Sequence, residues 1–154
     1  MLENNKVVVF TTGSEEYAVP IRNVISIERF SESNVIPHMP SYMLGVLTIR
    51  DELVPIIDTG VILFNVKTKS TENTRIIVIK TETLSVGLVV DDAKEILDIQ
   101  DDQIKGLNLT YQLSPYITGV ATLEDRLITL LDPASLFQGL DGFTDVKEHI
   151  QSHH

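Results

Sequence analysis

Few groups in this sequence could do covalent chemistry. The first is Asp58-Thr59-Gly60, which comes after the apolar run Pro55-Ile56-Ile57. A carboxylate so placed could share a proton with a second one across a symmetric site and hydrolyse peptide bonds at acid pH. The matching place later in the chain reads Asp132-Pro133-Ala134, where proline removes a backbone donor and the Thr-Gly pair is missing. The second carboxylate would then have to come from another copy of the chain. The plainer reading is that both aspartates end a strand and cap the next segment of chain. Asp91-Asp92 and Asp101-Asp102 could attract a divalent cation, yet neither pair has the glycine and bidentate glutamate of a calcium loop, and solvated turns explain them better. His38 sits between Pro37 and Met39-Pro40 without a Ser or Cys partner at a recognisable spacing, so it reads as a surface or packing residue. The eight glycines are scattered and form no phosphate cradle. With no Cys there is no thiolate nucleophile, disulfide framework or zinc ribbon. No catalytic residue, metal or cofactor is expected, and the terminal His149, His153 and His154 are given no functional weight.

Arg50 differs from these. It belongs to a duplicated segment: Tyr42 to Asp58 aligns without a gap on Tyr116 to Asp132, with seven of 17 positions identical and most others exchanging one aliphatic for another. Each copy reads as strand, tight turn and strand, the turns falling at Arg50-Asp51 and Glu124-Asp125. Where the first copy has Arg50 the second has Glu124, which implies different roles for two similar hairpins. Arg50 is expected at a subdomain seam, held by an acidic neighbour and available to a partner.

The elements around the repeat are mostly short strands. Val7 to Phe10, the turn Gly13-Ser-Glu-Glu16 and Tyr17 to Val19 predict one hairpin; Arg75 to Ile79, a polar tetrad and Leu84 to Val90 predict another. Val24 to Ile27 and Glu95 to Ile99 each have apolar residues on alternate positions, as further strands do. Helix is scarce: Asp132 caps a short one with Pro133 at its first position, and Thr144 begins one over Asp145 to Gln151. Two copies 74 positions apart imply two small barrels. Each is marginal alone, so the pair packs together and leaves an apolar seam or groove.

Length and charge narrow the classes further. A chain of 154 residues holds one compact domain or two small subdomains, and no second full-sized module. A net charge of −10 argues against nucleic acid and against an anionic membrane surface. The first residues lack a basic stretch followed by an apolar one, and no apolar run approaches a membrane span, so a cytoplasmic location without direct membrane insertion is expected.

Tyr42-Met-Leu-Gly45-Val-Leu-Thr-Ile-Arg50-Asp-Glu-Leu-Val-Pro55-Ile-Ile-Asp58 resembles the signature segment of the CheW family of chemotaxis coupling proteins, which runs Gly-Val-x-Asn-Leu-Arg-Gly-x-x-x-Pro-Val-Ile-Asp-Leu. Flanking features agree in order: Glu16-Tyr17 after the opening strand, Val24-x-x-Ile27, Ile36-Pro37 and Pro40, Val86-Gly-Leu-Val-Val-Asp91 and Tyr116-Ile-Thr-Gly119. The resemblance covers residues 6–138 and implies a mainly β fold of two packed, five-stranded SH3-like barrels. It puts the barrel boundary near 75–85, allows the terminal strands to be exchanged, and leaves 139–154 as a helix or tail. It implies a non-catalytic adaptor that links methyl-accepting chemoreceptor signalling tips to the regulatory domain of the histidine kinase CheA. The receptor's helical hairpin would lie in the groove between barrels, and the kinase-binding face is not assigned.

Carried over by position, Arg50 contributes to receptor coupling, Val24 and Ile27 are apolar residues of an adjacent strand, Gly45 is a close-approach glycine and Val86-Gly87 a groove-lining strand. Three departures stand out: Thr48 replaces the usual Asn, Asp51 the usual Gly, and Asp58-Thr-Gly the usual Asp-Leu-Arg. Many members also carry an acid at the position of Ser26; here Glu28, two residues on and on the same strand face, is expected to pair with Arg50 within about 6 Å. Two other readings are a CheW-like domain of a CheV-type protein separated from its receiver domain, and, remotely, an aspartic protease-like enzyme using Asp58-Thr59-Gly60.

Overall fold

A computed structural model describes residues 6–105 and 115–151; the opening residues and the terminal His153 and His154 lie outside the described residues. Continuous apolar runs become strands buried on both sides. In β1 (Lys6–Thr12), Val7 and Val9 point into one hydrophobic cluster while Val8 and Phe10 point into another. In β6 (Arg75–Lys80), Ile76 and Val78 likewise part from Ile77 and Ile79. Alternation places successive side chains on opposite faces, so such a strand must be covered twice. The strand ends are set by turns. Gly13 and Ser14 both have positive φ, the two-residue geometry that matches strand twist, between β1 and β2 (Glu15–Pro20).

The remaining strands are β3 (Val24–Arg29), β4 (Met43–Ile49), β5 (Glu52–Asp58), β7 (Ser85–Val90), β8 (Asp92–Asp98), β9 (Ile104–Lys105), β10 (Ile117–Leu123) and β11 (Arg126–Leu131). They form a five-stranded sheet in the order β3-β6-β7-β5-β4 and a six-stranded sheet in the order β8-β1-β2-β11-β10-β9. The fold is mainly β, and the two sheets fit two SH3-like subdomains; the second carries the two-residue β9 as an extra edge.

Strand for strand the orders correspond, down to one parallel pair in each: β5 with β7, and β11 with β2. The second sheet therefore takes β1 and β2 from the start of the chain and the rest from after Asp91. The division expected near residues 75–85 lies elsewhere. Both β6 and β7 belong to the first sheet, because β6 pairs with β3 and β7 with β5, and the sheets part between Val90 and Asp92.

Three clusters fill the molecule. Val54, Ile56, Ile76, Val78 and Val89 are the interior of the first barrel. Val7, Val9, Ala18, Ile99, Ala121 and Ile128 are that of the second. Between them runs the largest cluster, to which both sheets contribute: Val8, Phe10 and Val19 from one, Ile77, Val86 and Leu88 from the other. The helices α2 (Pro133–Gln138) and α3 (Phe143–Gln151) close it with Leu136, Phe137, Phe143, Val146 and Ile150. Helix α3 starts at Phe143, ahead of Thr144, because the Phe143 ring stacks on Phe137 at 5.5 Å and draws the first turn onto the core.

A further helix, α1 (Thr59–Phe64), was not expected from the sequence. Asp58 makes it: its carboxylate accepts from Gly60 N at 2.9 Å, from Thr68 N at 2.9 Å and from Thr68 Oγ1 at 2.6 Å. One side chain thus caps a short helix and pins the chain that leaves it.

Candidate docking site

The hairpin β4–β5 turns through Arg50 and Asp51, both with positive φ (51° and 66°). Neither is glycine, so the turn carries a backbone cost on the order of 1 kcal/mol per residue. In return Arg50 stands clear of the strand with its side chain 67% exposed, and its Nε lies 3.9 Å from Glu28 Oε2 on β3. The expected pairing is therefore present. An ion pair this open adds little to stability. The two side chains flank a recess of about 360 Å3 whose apolar lining includes Leu47, Ile49 and Ile76.

Gly45 lets the segment after β3 lie close against β4. Its φ is +150°, and a Cβ on it would fall 2.4 Å from Asn34 O. That approach lets Asn34 and Val46 exchange two backbone hydrogen bonds of 2.9 Å, joining the segment after β3 to the β4 edge.

The other expected groove residues spread over three environments. Ile27 is 43% exposed on the outer face of β3, opposite the face that carries Glu28. Val24 is half-buried against the seam cluster. Val86 and Gly87 do not line a surface: β7 is the middle strand of its sheet, with all six of its residues buried. Val86 packs in the seam, and a Cβ at Gly87 would meet Ile56 and Ile76, each at 2.8 Å, inside the first barrel. The structure therefore brings only Glu28 and Arg50 together at the surface; Ile27 is exposed on the opposite face of β3, and the other four lie at other places in the barrel and the seam.

The second repeat shows why only one hairpin offers a free guanidinium. Arg50-Asp51-Glu52 becomes Glu124-Asp125-Arg126, an exchange of charge across the turn. Moved two positions, the arginine is consumed: Arg126 reaches Glu16 through NH2 at 2.6 Å and through Nε at 3.3 Å, and Glu95 through NH2 at 2.9 Å. The Arg126 hydrogen bond holds the Glu16 carboxyl below its usual value, and the same bond pushes the guanidinium up. In the first repeat Glu52 instead accepts from Ser85 Oγ at 2.8 Å, leaving Arg50 to Glu28. This clamp was missed in the sequence, although the reversed charge order was its signal.

The remaining candidates have structural roles. Asp58 is 1% exposed, its carboxylate spent on capping, so it presents nothing to a substrate. Asp132 accepts from Ser135 Oγ at 2.6 Å. Asp91 accepts from Gly13 N at 2.9 Å, and Asp101 and Asp102 open a 3₁₀ turn. His38 is exposed, in the left-handed region. Among the described residues no three His, Cys, Asp or Glu side chains are grouped to hold a metal, and no helix is long and apolar enough to cross a membrane.

Comparison with known proteins agrees with this geometry. Residues 6–141 match the CheW-like domain family model. The chemotaxis protein CheW of Klebsiella aerogenes is 32% identical over 126 residues, covering 80% of this chain and 76% of that protein. CheW of Bacillus subtilis is 29% identical over 131 residues, covering 82% and 83%. The crystal structure of the scaffolding protein TtCheW from Thermoanaerobacter tengcongensis superposes with a TM-score of 0.79 over 92% of each chain at 24% identity, which shows a shared fold. The chain, with its paired barrels and its arginine-bearing hairpin, belongs to the CheW-like family of non-catalytic chemotaxis scaffold proteins.

Proposed function

We propose that this chain couples chemoreceptor signalling tips to the regulatory domain of the histidine kinase CheA in the cytoplasm. Glu28 and Arg50, with Leu47 and Ile49 beside them, form the receptor-facing surface; Ile27 borders it from the other face of β3, and Val24, Gly45, Val86 and Gly87 support it from within the barrel and the seam. The observation that carries this is the asymmetry of the repeats. One arginine is locked by two carboxylates, while its counterpart is two-thirds exposed beside a single glutamate and a recess lined by Leu47 and Ile49. A guanidinium held but not saturated can donate to carboxylates or carbonyls of a docking helix, and an apolar neighbour supplies contact area. Bridging two proteins requires no chemistry, only separate faces on a rigid body, and the shared seam makes the two barrels one.

The test is titration of Arg50→Ala against a receptor signalling fragment. The variant is expected to keep its fold, since it opens no cavity, and to bind about tenfold or more weakly. Binding equal to wild type would remove Arg50 from the interface.

A further inference from the structure

We propose that the recess between helices α2–α3 and the β6–β7 turn docks an acidic protein segment that carries apolar side chains. The recess has a volume of about 630 Å3, enough for several side chains and far more than an ion needs. Its floor is the edge of the core, where Phe137 and Phe143 stack at 5.5 Å with only 3% and 7% exposed, and half-buried Leu140 lies beside them. Its rim is basic: Arg22, Lys80 and Lys147 stand against one carboxylate, Glu82. The whole chain has 12 Lys and Arg against 22 Asp and Glu, so this recess reverses the sign of the molecule locally. None of the three cations makes an ion pair with a described residue.

Thr144 and Lys147 line the recess, whereas Asp145 acts on Tyr42, whose hydroxyl is pushed up to about 12 by burial first and then by Asp141 and Asp145. Three unneutralised cations over an apolar floor favour a ligand with carboxylates outside and aliphatic groups inside. A nucleic acid would meet the same cations but be repelled by the net charge of −10 around them. The recess shares no lining residue with the Arg50 site, so the inference stands apart from the receptor reading.

The test is an amide-shift titration of the isotope-labelled chain with a synthetic peptide of three Glu-Glu-Leu-Leu-Glu repeats, beside a control with lysine in place of glutamate. The expected result is saturable shifts at Thr81 to Thr83, Ala134, Gln138 and Thr144, absent with the lysine peptide. Binding should weaken with salt and by roughly tenfold in the folded double variant K80E/K147E. Shifts elsewhere, or unaltered affinity in that variant, would overturn the proposal. So would shifts at the recess that appear on concentrating the chain alone, which would make the occupant a second copy.

Discussion

At the scale of single residues, function depends on where each charge is held. Arg50 and Arg126 occupy neighbouring places in two copies of one hairpin and meet opposite fates, one exposed and one clamped. Asp51 is where the turn departs from the family pattern, and its positive φ of 66° is a conformation glycine adopts at no steric cost. Asp51→Gly is therefore expected to raise stability by about 0.5–1 kcal/mol in chemical denaturation while leaving Arg50 coupling unchanged. A loss of stability would mean that the Asp51 side chain makes a contact outweighing its strain. The pairing of Arg50 with Glu28 was legible in the sequence, because period-2 alternation alone puts Glu28 on the strand face of Ser26. The burial of Val86 and Gly87 was not. An unbroken apolar run shows that a strand is covered on both sides, but not that it lies in the middle of its sheet.

At the scale of elements, the two sheets are held by different polar devices. In the second, Arg126 ties β11 to its neighbour β2 through Glu16 and, across two intervening strands, to β8 through Glu95. Glu16 has its pKa lowered in the folded state, so its contribution is fully present above the unfolded value near 4.5 and is lost as pH falls through the folded one. Arg126→Gln is expected to cost about 1–2 kcal/mol at neutral pH, with the gap from wild type narrowing as the pH of the unfolding measurement is lowered below that value. A gap independent of pH would show that Arg126 acts by packing alone. Most strands were readable, since β-branched runs between turn clusters leave little choice. Helix α1 was not, because Thr59-Gly60-Val61-Ile62-Leu63-Phe64 has β-branched residues and a glycine. Its helical state depends on the buried Asp58 cap and on Thr68 downstream.

At the scale of the whole molecule, the shared seam makes one rigid body of two barrels that would each be marginal alone. Val8 and Ile77 enter that seam from opposite sheets at 2% and 0% exposure. Aspartate at either is expected to cost more than about 3 kcal/mol and to unfold the chain as a unit, seen as loss of the cooperative thermal transition. Loss of one barrel with the other intact would mean that the seam does not couple them. The duplication was plain in the sequence, but which strands complete which barrel was not: β2 finds β11 across more than a hundred positions, and no local pattern encodes a parallel pairing of that range. The central claim, that this rigid pair of barrels bridges two other proteins, is tested most directly by co-sedimenting the kinase regulatory domain with assembled receptor signalling fragments, with and without this chain. Kinase domain in the pellet only when the chain is present is the expected result; the same kinase fraction in both pellets would contradict the bridging role.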